Sequence, residues 1–320
     1  MLSLASLTLT LRFGEAELPP WLGSALRGGF GRHLRRIVCY RPMRDCNDCK
    51  TAESCLYYET YERSQARRGH APPPRPIALI PPFFGKRLIF RREGRIEVGL
   101  LLFGRFVQNL PHVILALQQF GSHGIGEGRY FGKNRFEVER ATCSLSGRTV
   151  FESGTIYPDR MSTVDATKIP PIEGRSFRFL FRTPIELPLG FPPPPDHLLK
   201  LIRHRLILLV NEYGTGEEIP EPSCRGSVRP LAKHRHRLTG RSQRSGKREF
   251  WNCWTGIADY DFEELDATGR WLLGVGRVIG AGAKMSFGMG FFGIRPKTWP
   301  GARQTAGAQI REPLQAQQIG

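Results

Sequence analysis

The chain has 320 residues, 40% of them hydrophobic and 24% charged, so about two ordinary domains with real cores are expected, not overall disorder. Lys and Arg number 47 against 29 Asp and Glu, a net charge of +18, which points to a polyanionic partner, nucleic acid ahead of membrane. Twenty-five prolines and thirty-six glycines imply many turns and exclude a long helical bundle. From the N-terminus, Leu7, Leu9, Leu11 and Phe13 alternate with Thr8, Thr10 and Arg12, a strand pattern with no basic segment before it. No stretch approaches the roughly 18 uncharged apolar residues of a membrane span. The best candidate, 198–210, is interrupted by Lys200, Arg203, His204 and Arg205. A cytoplasmic protein with no membrane partner is expected.

The elements then follow one order twice. The first pass reads strand 2–13, helix 20–37, a cysteine-bearing insertion at 38–60, strands 77–80 and 95–103, helix 106–119, a glycine-rich loop and strand 134–142. The second reads strand 176–187, helix 196–213, a basic loop, strand 249–260, helix 262–274, a second glycine-rich loop and strand 287–294. Each is assigned the ferredoxin-like order β-α-β-β-α-β, with one middle strand not located in the second pass. The expected fold is therefore α+β, with tandem ferredoxin-like domains at 1–167 and 175–295 and a flexible tail at 296–320.

Three segments carry chemistry. Cys39, Cys46, Cys49 and Cys55 are spaced C-x6-C-x2-C-x5-C, which suits one tetrahedral zinc clamping an insertion too polar for its own core; four ordinary thiols are the alternative. Segment 225–248 holds seven arginines and two lysines without an acid, half of the net charge in 24 residues. Such a run is either a solvated face or a phosphate-binding loop. Lys233, Arg235, Arg237, Arg241, Arg244, Lys247 and Arg248 are its candidate RNA contacts. Phe250, Trp251, Asn252 and Trp254 beside it could stack on bases, but core packing is the expectation for both tryptophans. In the last loop Gly280, Gly282, Gly288 and Gly290 bracket Lys284 and Ser286, so the backbone could approach a phosphate closely. The motif is no dinucleotide fingerprint, because it precedes a strand instead of following one.

These features together resemble the repeat-associated (RAMP) proteins of CRISPR systems, and LRGGFGRHLRR, CNDCKTAESCLYYE, GIGEGRYFGKNRFEVE, HRLTGRSQR and GAGAKMSFGMGFFGI look like the branch that processes precursor crRNA. The resemblance implies an endoribonuclease that cuts repeat RNA at the base of a hairpin, without a catalytic cofactor. The product ends would be a 2′,3′-cyclic phosphate and a 5′-OH. It further implies retention of the crRNA hairpin and association with other CRISPR effector subunits. Many relatives place a histidine in or just after the first helix, and His33 matches that region. Its helical angle, about 20° from Leu22, puts it beside Leu26 and Ile37 on the apolar face, so a core histidine competes with a general base. Arg27, Arg36, Arg241 and Arg244 offer an electrostatic route, since arginine stays protonated. His234 and His236 are further base candidates, expected on opposite sides of a strand. A non-catalytic RAMP subunit and an unrelated zinc-containing nucleic-acid-binding module are the other readings.

Overall fold

The computed structural model describes residues 1–41, 45–68, 73–241 and 248–297. β1 (Ser3–Phe13) behaves as its alternation demands: Ala5, Leu7, Leu9, Leu11 and Phe13 are buried, while Thr8, Thr10 and Arg12 face the open side. β2 (Ala16–Leu18) leads into α1 (Gly23–Val38). The chain returns through β3 (Ile77–Ile80), β4 (Leu88–Phe90) and β5 (Gly94–Phe103), then α2 (Leu110–His123) and β6 (Phe136–Cys143). The main sheet runs β3-β5-β1-β6, antiparallel throughout, and β2 pairs with β4 separately. Short strands β7 (Thr149–Glu152) and β8 (Thr155–Ile156) extend it past β6, and β9 (Val164–Asp165) pairs with the start of β1.

The second unit repeats the scheme. β10 (Ser176–Glu186), α3 (Pro195–Tyr213), β11 (Cys224–Arg241), β12 (Arg248–Leu265), α4 (Ala267–Ile279) and β13 (Phe292–Pro296) form a sheet in the order β11-β12-β10-β13. Counting main strands in sequence, both sheets have the order 2-3-1-4 with two helices on one face. This is the tandem ferredoxin-like fold.

Three local expectations need correction. The basic segment is not a loop: through Arg241 it is β11, the strand missing from the second pass. A ladder that pairs 17 of its 18 residues with β12 bonds the inner side of its backbone, so a strong apolar alternation is not needed to hold it. β12 likewise runs on through Leu265, because its ladder to β11 continues as far as the Cys224–Leu265 pair. α4 therefore starts only after Asp266, whose carboxylate accepts from the Gly269 N–H as a cap. The last strand starts at Phe292, not 287, because a short helical turn occupies Met285–Phe287. The expected tail lies outside the described residues from 298 onward.

The units share a core. Leu2, Leu4, Ala78, Leu101 and Phe103 of the first sheet belong to the same buried cluster as the β10, α3 and α4 side chains. Polar contacts add register: Glu212 at the end of α3 accepts from the Arg67 N–H at 2.7 Å and pairs with buried Arg63, and Trp271 Nε1 donates to Ala166 O at 3.0 Å. A shared core with buried polar pairing argues against free hinge motion between the units.

Candidate nucleic-acid interface

The β11–β12 hairpin has two faces, and a bulge decides which one is basic. Before it, Arg229 lies opposite Asp259 and reaches that buried carboxylate at 3.5 Å; Arg178 of β10 holds it bidentately at 2.8 and 3.1 Å. Both contacts keep the Asp259 carboxyl below its ordinary range against the effect of burial. Arg225 pairs with Glu263 and Glu264. The absence of acid in the segment is thus misleading, since β12 supplies the countercharge.

The register slips between Pro230 and Ala232, leaving exposed Leu231 unpaired. Beyond it Lys233, Arg235 and Arg237 lie opposite Gly256, Trp254 and Asn252. Arg237 sits 4.5 Å over the Phe250 ring and Arg235 5.9 Å from the Trp254 ring. None of these three cations has a carboxylate partner among the described residues. Half-buried Trp254 stacks on Phe191 at 6.3 Å. Cations interleaved with aromatic faces can hold phosphates and stack bases together.

The other face closes against the first unit. Trp251, Cys253, Met289 and Trp21 form a small buried cluster with Leu238, Phe83 and Phe287. Trp251 is therefore core, as expected. His236 shares a hydrogen bond with Thr255 Oγ1 at 2.7 Å and packs 4.6 Å from Phe83, and burial lowers its pKa. The expectation that His234 and His236 diverge fails, since positions two apart share a face.

The last glycine-rich loop is held from beneath. Arg205, buried in α3, donates to the carbonyls of Ile279, Gly282, Ala283 and Met289. Burial lowers its pKa to about 9. Gly280, Gly282, Gly288 and Gly290 all have φ between 74° and 82°, but they do different jobs. A Cβ on Gly288 would lie 2.6 Å from Leu79 O and Pro81 of the first unit, and one on Gly290 only 2.0 Å from Ala281 O. A Cβ on Gly280 would strike Arg205. These three glycines serve packing, and Gly288 serves packing between units. The part open to a ligand is Gly282 to Ser286, where the Gly282 and Ala283 N–H groups have no acceptor among the described residues. Lys284 sits at its centre with φ 59°, its ammonium 3.1 Å from Glu186 and 5.2 Å from the Trp251 ring.

α1 meets both features at its first turn. Ser24 Oγ donates to Thr239 O of β11 at 3.1 Å, and Arg27 lies between the rings of Tyr61 (4.9 Å) and Phe287 (4.8 Å). Burial lowers the Arg27 pKa, and no carboxylate pairs with it among the described residues. Arg27, the loop and the hairpin thus converge. Arg36 does not join them, being nine residues further, about 13 Å along and half a turn around the helix. Arg241 ends β11, Arg248 starts β12, and Arg244 and Lys247 lie outside the described residues.

His33 lies on the apolar face that its helical angle indicates. It is 4% exposed, with Nδ1 bonded to Gly29 O at 2.9 Å and its ring stacked on Phe120 at 5.4 Å. Burial lowers its pKa, and its Nε2 is sealed from solvent without a hydrogen-bond partner among the described residues. The accessible imidazole beside it is His123, 4.9 Å away, which no sequence motif singles out. Sequence reasoning also misses Arg205 and Arg32.

All four insertion cysteines line one cavity of about 400 Å³ together with Tyr40, Arg41, Asn109 and His112. Burial pushes the Cys46 thiol up to about 11, while hydrogen bonding to Thr51 lowers Cys49. No three Cys, His, Asp or Glu side chains are gathered as a formed metal site among the described residues.

These features define a class by fold: two ferredoxin-like units in tandem, an architecture shared with a solved Cas6. A solved Cas6 product complex matches with a TM-score of 0.50, at 16% identity, over 90% of this chain and 98% of that one. A Thermus thermophilus Cas6 gives 0.49 at 13% identity over 92% and 99%. A structure titled as a RAMP protein binding different RNA substrates gives 0.47 at 13% identity over 91% and 99%. The chain belongs to the AF_1859 family, whose N-terminal domain model matches residues 2–167 and whose C-terminal domain model matches 178–294. An uncharacterized protein of Archaeoglobus fulgidus is 38% identical over 297 residues, 92% of this chain and 98% of the relative. No helix among the described residues is long and apolar enough to cross a membrane.

Proposed function

We propose that this protein binds CRISPR repeat RNA as a hairpin, cleaves it without a catalytic metal, and keeps the product for other CRISPR effector subunits. The observation that carries the binding part is the outer face of the β11–β12 hairpin. There Lys233, Arg235 and Arg237 lack carboxylate partners among the described residues and alternate with Trp254 and Phe250. A stem gripped there would place its base at the junction of Ser24, Arg27 and Gly282–Ser286. In the cleavage step the ribose 2′-oxygen forms a bond to phosphorus and gives up its proton to a base. The P–O5′ bond breaks and the 5′-oxygen takes a proton. Arg27 and the free loop N–H groups would stabilise the phosphorane charge.

The base is the open part of this reading. His33 can serve only if the C-terminal turn of α2 moves to uncover Nε2. Its seal favours the second reading, a RAMP subunit that binds crRNA without cutting it. A repeat hairpin incubated with the protein in EDTA, with and without a 2′-deoxy substitution at the scissile nucleotide, tests the chemistry. Cutting that persists in EDTA and vanishes with the 2′-deoxy substrate is expected; cutting lost in EDTA with binding intact refutes it. His33→Ala should lower the rate about 10²–10⁴-fold at preserved affinity if it is the base. An unchanged rate in folded protein returns it to the core. A structural zinc on Cys39, Cys46, Cys49 and Cys55 belongs to the same proposal, supported by their common cavity. The four thiols would have to gather and lose their protons, Cys46 against the burial that raises it, and elemental analysis of protein purified without chelator decides it.

A further inference from the structure

The first unit carries a second basic and aromatic surface that the hairpin reading leaves unused. It lies on the outer side of α1 and on the loop after α2, the topological counterpart of the glycine-rich loop in the second unit. Tyr130 is 73% exposed and Phe131 80% exposed, the two most exposed aromatic residues among those described. Neither is covered by another element. Arg129 lies 4.4 Å over the Tyr130 ring and donates to Gly126 O at 3.1 Å, so the platform is held in place from one side. Arg32 and Arg36, one helical turn apart on α1, face the same region. Burial first, and then the positive charges of Arg129 and Arg36, lower the Arg32 pKa. None of Arg32, Arg36 and Arg129 has a carboxylate partner among the described residues. Exposed His123 stands at the edge, its Nδ1 committed to Gln119 O at 2.8 Å.

This surface is joined to the hairpin. Ser24, Gly28, Arg32 and Arg36 recur every four residues and make one slowly turning stripe along α1. The stripe begins where Ser24 touches Thr239 of β11 and ends about 18 Å away. That is the reach of a few nucleotides.

We infer that the α1 stripe and the Tyr130–Phe131 platform form a second RNA subsite, which binds the single strand flanking the hairpin. The inference rests on the proposed RNA-binding function and adds the part of the RNA that this unit takes. Unpaired cations select a polyanion, and two exposed ring faces select bases free to unstack, which a stem cannot offer. A protein partner would more often meet a surface whose charges are interspersed with acids, and Glu127 is the only acid in the loop 124–132.

The test uses the full chain and two RNAs, a bare repeat hairpin and the same hairpin with a single-stranded extension at either end. For the wild type the extension should tighten binding by about tenfold or more. In Tyr130→Ala/Phe131→Ala that gain should vanish, since each missing stack weakens binding about fivefold to a hundredfold, while affinity for the bare hairpin stays unchanged. Tyr130→Phe/Phe131→Tyr should restore it. Both residues are exposed, so the melting temperature should not move. A gain from the extension equal to wild type in the alanine variant overturns the subsite, as does no gain in the wild type. Binding of neither RNA by the wild type refutes the RNA-binding function itself and the subsite with it.

Discussion

The two glycine-rich loops hold the same place in their units, after the second helix and before the last main strand, yet they are built on opposite principles. The loop at 280–290 is tied down: Arg205 gathers four of its carbonyls, and Gly288 presses on β3 of the other unit. The loop at 124–132 is packed against Asn134 at Gly124 and Gly128 but open at its tip: a Cβ on Gly126 or Gly132 would meet nothing within 4 Å, and Tyr130 and Phe131 are exposed. A glycine pattern in a sequence therefore says that the backbone takes an unusual path, not whether the cause is a ligand or a neighbour. Here the same spelling serves a seam between units in one case and an exposed platform in the other.

The contrast can be broken most forcefully at Arg205. Arg205→Leu leaves four carbonyls, those of Ile279 and Met289 in buried hydrogen bonds, without their donor, and a destabilisation of about 3 kcal/mol or more is expected. Arg129→Leu, the corresponding cation of the open loop, should leave stability within about 0.5 kcal/mol of wild type. Thermal or urea unfolding of the pair reads the difference, and equal destabilisation would dissolve the comparison. Next come the glycines. Gly288→Val meets Leu79 O and Pro81 at 2.6 Å with φ 75°. It should destabilise by about 2 kcal/mol or more in the same unfolding assay, and impair RNA binding only as a consequence. Gly132→Ala keeps only the strain of φ 72° and should cost about 1 kcal/mol. The smallest effect is on salt. Arg235→Ala/Arg237→Ala should flatten the dependence of RNA affinity on salt by about 0.7–0.9 log units for each phosphate no longer neutralised, without altering the melting temperature. An unchanged slope would make the hairpin face a merely solvated one.

Much of this is legible in the sequence, and the misses have physical reasons. The strand alternation of Leu7 to Phe13 and the doubled element order are enough for the fold, because burial on one side leaves a period of two. β11 escapes because the bulge at Leu231 puts Val228 on one face and Ala232, His236 and Leu238 on the other, too few apolar residues on either to show through five arginines. The helical angle of His33 points to the seam it occupies, where Gly29 lets the Phe120 ring approach α1. Arg205 carries a signal of its own. It shares the apolar side of its helix with Leu198, Ile202 and Leu209, and an arginine placed there must find buried acceptors. The open platform at Tyr130 and Phe131 is not separable in sequence from any other glycine-rich turn, since exposure is a property of what fails to pack on it.

The single unpaired residue at Leu231 has a consequence for how such a surface can change. Because side chains alternate along a strand, one extra residue shifts the phase of everything after it: Arg229 turns to Asp259, whereas Arg235 and Arg237 turn to the aromatic side. A one-residue insertion or deletion in β11 would therefore exchange the two faces of the hairpin tip wholesale, sending His234, His236 and Leu238 outward and the cations against Trp21 and Phe83. A hairpin of this kind stores its polarity in a count, not in a composition. Its sequence can drift at many positions with little effect on which side is positive, and a single indel can invert it.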